Sequence, residues 1–333
     1  MRDISAGVSV MRTRTLFVAL CVALAGLAIV ALCRGSVAIS ASKILAIMSG
    51  AEKGASAEIV LGIRLPRMVM AILIGMMLSM AGTISQAVFR NPLADPYIIG
   101  ISAGATAGAV LAYLLGLSDV YYGAFAFATA MGTALLIFRL AGERGKTSAG
   151  TLLITGVAIS AFLGAFTSFG LYLAGQDSYR VMVWTMGYLG SATPLRAALL
   201  CVPLALSALY FLYRRHDIDA LLLGDEEAHS LGVKVGSLKR RLLLVVSLIT
   251  AFSVAFSGMI GFVGLIVPHI VRLCVGNNHG RLLPLAALSG AVFLLFADTL
   301  ARTLLAPVEI PIGIVTAFFG APFFLFLAVR NRG

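Results

Sequence analysis

Nine stretches of this 333-residue chain run for 16 residues or more without an Asp, Glu, Lys or Arg. They are Thr15–Cys33, Met68–Phe89, Ile98–Ser118, Val120–Phe138, Thr147–Gln176, Ala197–Tyr213, Leu242–Val271, Leu282–Ala297 and Ile310–Val329. A helix that crosses a bilayer needs about 20 predominantly apolar residues. The composition gives these runs no other home, because 60% of the residues are hydrophobic and 12% are charged. An average soluble domain carries roughly 25% charged residues, and most of its residues still touch water. The apolar surface of this chain must therefore touch lipid. The sequence predicts an all-α polytopic membrane protein and excludes a soluble enzyme, a disordered tail and a secreted disulfide scaffold.

One run is too long for a single helix. Leu242–Val271 covers 30 residues, which is about 45 Å of helix against a hydrocarbon core of about 30 Å. Gly258, Gly261, Gly264 and Pro268 fall in its second half, where a break costs least. Splitting the run there gives about ten transmembrane helices. Lys and Arg accumulate in cytoplasmic loops. With ten spans and both the N- and C-termini cytoplasmic, 17 of the 25 basic residues lie inside and 8 outside, against 14 and 11 if the run stays whole. The distribution favours the split. It also makes the net charge of +11 a matter of sidedness, with no nucleic acid required.

No further domain is expected: residues 1–333 read as one transmembrane domain with an outer loop at 34–66 and an inner segment at 214–241. The first apolar run outlasts the roughly 7–15 residues of a signal-peptide core and ends without a small-x-small cleavage pattern, so it reads as an uncleaved helix. Val181–Leu195 is short and dotted with polar residues, as in a helix lying at the surface or partly re-entering. Cys21, Cys33, Cys201 and Cys274 show no paired spacing and read as buried free thiols. The outer loop dissents from the charge rule, since Arg34, Lys43, Lys53, Arg64 and Arg67 all fall on the outside. Either the rule tolerates them or they face an acidic partner.

Catalytic motifs fail on inspection. Gly145-Lys146-Thr147 has Leu140 where a phosphate-binding loop needs Gly, and it follows a spanning helix instead of a strand. The chain is thus not expected to bind ATP, a metal or any cofactor itself. Asn91-Pro92-Leu93 occurs once, where a water-channel pore needs two such motifs, and the four histidines form no HExxH. Nothing assembles a nucleophile, a base and an oxyanion hole, so an enzyme is not expected. Gly100, Gly104 and Gly108 recur every four residues, a small-residue stripe suited to close helix packing. The methionines Met68, Met70, Met76, Met77 and Met80 suit adaptable core filling.

Charged residues at span ends say more. Asp298 and Arg302 are one helical turn apart and can pair, and Glu309 opens the last span, where a carboxylate favours the helix N-terminus. Interfacial snorkelling explains them equally well. The inner segment Asp217–Val233 is different, being amphipathic, Gly-punctuated and too polar for lipid. Such a segment lies on the membrane or docks on a partner, and its acids argue against an anionic lipid surface.

Several motifs occur together. They are Arg64-Leu65-Pro66-Arg67, Asn91-Pro92-Leu93-Ala94-Asp95-Pro96, Leu223-Gly224 with Leu231-Gly232-Val233, the run Gly261-Phe262-Val263-Gly264-Leu265-Ile266-Val267-Pro268-His269-Ile270-Val271-Arg272, and Pro311-Ile312-Gly313. In this order, from Arg64 to the C-terminus, the chain resembles the FecCD-type permeases of ATP-binding-cassette importers for iron-siderophore, haem and cobalamin. The resemblance implies a ten-helix permease of a prokaryotic cytoplasmic (inner) membrane, acting as a homodimer with the path at its two-fold interface. It implies two separate ATPase subunits that use the ATP, and a soluble or lipid-anchored binding protein outside. By motif it puts binding-protein docking on Arg64, Arg67 and Arg302. It puts ATPase coupling on Leu223, Gly224, Glu226, Glu227, Ala228, Leu231, Gly232 and Val233.

Tyr172, Gln176, Tyr179, Arg180 and Trp184 cluster at the outer end of the fifth apolar run and are candidates for the substrate path, although aromatic belts are equally rich in Tyr and Trp. The runner-up is an ion-coupled secondary transporter, which would need intramembrane acids or an unwound helix pair.

Overall fold

The structure, a computed structural model, describes residues 2–141 and 149–330. The Gly145-Lys146-Thr147 motif, Arg144 and Arg332 lie outside the described residues. Every regular element among those described is helical, which satisfies backbone polar groups within each segment where no water can. Helix α1 (Arg2–Cys33) leads through α2 (Ala41–Met48) and a π-helical turn at Glu58–Arg64 into α3 (Leu65–Phe89). Then come α4 (Ile101–Leu114), α5 (Tyr122–Ala141), α6 (Ala149–Ala174), the short α7 (Tyr179–Thr185) and α8 (Pro194–Tyr213). Two short helices follow, α9 (Arg215–Leu221) and α10 (Asp225–Ser230), before α11 (Val235–Ser257), α12 (Val263–Val275), α13 (His279–Thr303) and α14 (Ile312–Arg330).

Seven helical stretches are long and apolar enough to cross a bilayer, and three shorter apolar helices, Ile101–Leu114, Val263–Val275 and Ile312–Leu325, accompany them. The 30-residue run does break: α11 stops at Ser257 and α12 starts at Val263. Gly258 turns the chain at φ +66°, and a Cβ there would lie 2.0 Å from the Trp184 carbonyl oxygen, so only glycine fits. The freed backbone groups find partners nearby. Ser257 O accepts from Tyr188 N at 2.7 Å, and Ile260 O accepts from the Tyr97 hydroxyl at 3.1 Å.

Helix α3 is the axis of the bundle, packed by α8, α11, α12 and α13. Glycines allow its closest crossings. A Cβ on Gly75 would sit 2.3 Å from Gly290 O of α13, and one on Gly82 would sit 1.7 Å from Gly264 O of α12. Met70, Met77 and Met80 are buried against these contacts, as core filler should be. The stripe on α4 also packs: a Cβ on Gly104 or Gly108 would run into Thr133 or Thr129 of α5.

Three expectations need correction. The third apolar run yields a helix of only 14 residues, because Pro96–Ile99 forms a 3-10 turn and Gly100 caps α4 in the left-handed region. Val181–Leu195 is mostly irregular, with its helix ending at Thr185. The four cysteines are free, but Cys21, Cys201 and Cys274 are exposed on the bundle surface instead of buried.

Candidate functional site at the two ends of the bundle

The C-terminal ends of α1 and α13 and the N-terminal end of α3 converge at one end of the bundle. There Arg67 Nε donates to Asp298 Oδ1 at 2.9 Å, and its Nη1 donates to Glu309 Oε2 at 2.8 Å and Oε1 at 3.0 Å. Arg302 Nε stands 3.1 Å from Asp298 Oδ2, the predicted one-turn pair, a Coulombic contact without hydrogen-bond alignment. Its Nη2 donates to Ala31 O at 3.2 Å. Arg64 donates from Nη1 to Leu32 O at 2.6 Å and from Nη2 to Val37 O. Three guanidiniums thus fasten α1, α3, α13 and the entry to α14 to one another.

The resemblance implied that Arg64, Arg67 and Arg302 meet a partner. In the fold they are 4%, 5% and 6% exposed and Asp298 is 0% exposed, so their charged heads are occupied within the chain. Each reaches inward because a guanidinium taken from water must be paired or hydrogen-bonded. Arg34 and Lys53 keep exposed positions at this end. Asp298 is a buried carboxylate held between two arginines, Arg67 and Arg302.

At the opposite end, α9 and α10 fold against the bundle. Ile218, Leu221 and Ala228 are fully buried. Asp219 Oδ1 accepts from the backbone N–H of His279, 2.9 Å away, and lies 2.6 Å from its Nδ1, tying α9 to the first residue of α13. Asp225, first in α10, binds Lys239 Nζ with both oxygens at 2.7 Å. Gly224 at φ +137° and Gly232 at φ +87° reverse the chain on either side of α10. Leu223 and Leu231 stay 64% and 65% exposed, and Glu226, Glu227 and His229 point outward with them. Of the eight predicted coupling residues, Gly224 and Ala228 are buried supports, Val233 is half-buried, and the other five are exposed.

The loop from α3 to α4 lies at this end too. Asp95 Oδ1 accepts from Tyr97 N at 2.8 Å, and burial pushes its carboxyl up to about 6. Deeper in the same half, Gln86 of α3 donates to Leu265 O at 3.0 Å, securing the start of α12. The sequence reading missed the Asp219–His279 and Asp225–Lys239 ties. No local signal announced them, since each acid has a basic residue one turn away on its own helix, Arg215 for Asp219 and His229 for Asp225.

Among the residues suggested for a substrate path, Tyr172 is 81% and Tyr179 is 68% exposed. Trp184 is half-buried, edge-on to Tyr122 at 6.3 Å. The side chains of Gln176 and Arg180 lie outside the described residues. No group of three or more His, Cys, Asp or Glu side chains that could hold a metal occurs among the described residues.

The described residues thus form a helical membrane bundle with a buried polar network at one end and an exposed amphipathic hairpin at the other. Residues 23–330 match the FecCD transport family, and the chain belongs to it. It is 47% identical over 281 residues to the cobalamin import system permease protein BtuC of Halobacterium salinarum, covering 83% of this chain and 75% of that one. It is 44% identical over 284 residues to the hemin transport system permease protein HmuU of Yersinia pestis, covering 82% and 83%. A solved metal-chelate-type ABC transporter in an inward-facing conformation superposes with a TM-score of 0.83 at 31% identity, covering 96% of this chain and 99% of that one. The chain is accordingly a permease subunit of an ABC importer and not an enzyme; ATP hydrolysis takes place on separate ATPase subunits.

Proposed function

We propose that this chain is one half of a homodimeric permease in a prokaryotic inner membrane, with ten spans and both termini cytoplasmic, and that it imports an iron complex (siderophore or haem) or cobalamin. The observation that carries the reading is the α9–α10 hairpin, rigidly tied to α3, α11 and α13 yet displaying Leu223, Leu231 and a row of acids to solvent. A surface anchored from behind and apolar in front suits a cleft on an ATPase. Pushing it would move α13 through Asp219 and α11 through Asp225. Exposed Val157, Phe162 and Tyr172 on α6 suit the second copy and the path between the copies. Tyr179, Trp184, Gln176 and Arg180 would stand at its outer mouth.

The same orientation turns the arginine end outward, toward a soluble or lipid-anchored binding protein. With Arg64, Arg67 and Arg302 enclosed, the docked protein would meet Arg34 and Lys53 first, and the three arginines would shape that surface from beneath. The test is the doubly substituted permease L223D/L231D assembled with its ATPase. ATP hydrolysis stimulated by loaded binding protein should fall at least tenfold while the permease stays monodisperse; unchanged stimulation overturns the reading. Uptake assays with cobalamin, haemin and ferric siderophores would then identify the cargo.

A further inference from the structure

A cleft of about 550 Å³ opens between α5, α7, α8 and the C-terminal half of α11, at the arginine end of the bundle. Phe127, Phe252 and Phe256 form its apolar interior, and Leu195 and Leu199 form one lip. That lip continues as an exposed apolar ridge along α8, through Val202, Leu206 and Leu209, so the cleft opens onto a lipid-facing surface. Filling it with solvent would set many waters against aromatic rings that cannot hydrogen-bond them well. A hydrocarbon chain from the bilayer is the physically favoured filling.

The rim is not apolar. Arg196 and Asp119 both border the cleft, as do Trp184, Tyr188 and Ser191. Arg196 donates from Nη1 to Ser191 O at 2.9 Å, which orients the guanidinium and leaves most of its N–H donors free. No ion pair joins it to Asp119, and neither residue has a salt-bridge partner within 4.0 Å among the described residues. One oriented cation and one exposed anion, neither ion-paired, border a single cleft mouth beside a Trp and a Tyr and complement a headgroup that carries both charges.

We infer that this cleft binds one membrane phospholipid with an amine headgroup. Its phosphate lies on Arg196, its ammonium faces Asp119, and one acyl chain lies over Phe127, Phe252 and Phe256. Bound there, the lipid wedges α8 against α11 next to Tyr188, whose ring lies 6.0 Å from the Arg67 guanidinium carbon. The inference is independent of the cargo and of the ATPase, and Trp184 is the one residue the cleft shares with the proposed mouth of the path.

The experiment is native mass spectrometry of the full chain released from nanodiscs of phosphatidylethanolamine, phosphatidylcholine or phosphatidylglycerol. One phosphatidylethanolamine per chain should survive delipidation. Phosphatidylcholine, whose methylated amine donates no hydrogen bond, and phosphatidylglycerol, which has no amine, should be retained roughly tenfold less or worse. Arg196→Ala and Asp119→Asn should each cut retention by about the same factor, and Arg196→Lys should keep much of it. Ala124→Trp, which fills the cleft without touching either charge, covers the case in which a charge variant fails to fold, and should expel the lipid. Equal retention of the three lipids, or retention unaffected by Ala124→Trp, overturns the proposal. So does a disulfide between copies through Leu199→Cys in a chain otherwise free of cysteine, since a second copy would then cover the cleft.

Discussion

Arg67 and Asp298 are 231 positions apart in the chain and 2.9 Å apart in the fold, both buried. Removing one member of a buried pair leaves an uncompensated charge, which costs roughly 3–5 kcal/mol. Asp298→Asn removes the carboxylate that two guanidiniums share, leaving Arg67 only Glu309 and Arg302 only Ala31 O, and should lower thermal stability in detergent by up to that order. Glu309→Gln should cost much less, because Glu309 is 37% exposed on its side chain and water replaces what is lost. Equal melting temperatures for wild type and Asp298→Asn would show that the network does not hold this end together.

Glycine at the helix crossings is a steric requirement that substitution can probe. Gly82→Ala should prevent the α3–α12 contact and yield little folded permease, because its Cβ would fall 1.7 Å from a backbone oxygen. Gly132 on α5 has nothing within 4 Å of a Cβ, so Gly132→Ala should be neutral or stabilising by up to about 1 kcal/mol. Fluorescence size-exclusion yield and melting temperature distinguish the two.

Gly224 links the bundle to α10 through a left-handed turn that a β-branched residue resists. Gly224→Val should leave the spans intact and reduce ATP hydrolysis stimulated by the binding protein several-fold, with basal hydrolysis on the ATPase unchanged. Stimulation at the wild-type level would show that the turn is dispensable for coupling.

The Asp95 carboxyl, raised from 3.8 to about 6, makes stability depend on pH in a stated direction. The folded chain holds this proton more tightly than the unfolded one. The stability it contributes is complete below pH 4 and is lost as pH rises through about 6. Asp95→Asn keeps the cap on the Pro96–Ile99 turn and should raise the melting temperature at pH 7.5 while flattening its change between pH 4 and 6. An unaltered pH profile would assign that dependence to other groups.

Orientation can be read by labelling. In a chain stripped of its four native cysteines, a cysteine at the exposed Lys53 should react with an impermeant thiol reagent added outside, and one at the exposed Asn277 should not. Reaction at Asn277 from outside would overturn both the span count and the cytoplasmic C-terminus.

The helical membrane class, the apolar segments and the break near Gly258 were all legible along the chain. Each follows from a local quantity: a run of residues without charge, its length against the bilayer, and glycine where a helix is easiest to interrupt. The pairing of Asp298 with Arg302 was legible for the same reason, being one helical turn. The α9–α10 hairpin could be recognised as unfit for lipid, but not what anchors it, because His279 and Lys239 lie on other helices. Likewise Arg64, Arg67 and Arg302 could be counted but not placed. Whether Arg67 meets solvent or Asp298 depends on how α3 and α13 cross, and that crossing depends on Gly75 meeting Gly290. Composition and periodicity set the energy of each segment in lipid. Only the packed structure decides which buried charges find one another, because a desolvated charge is satisfied by neighbours in space whatever their distance in sequence.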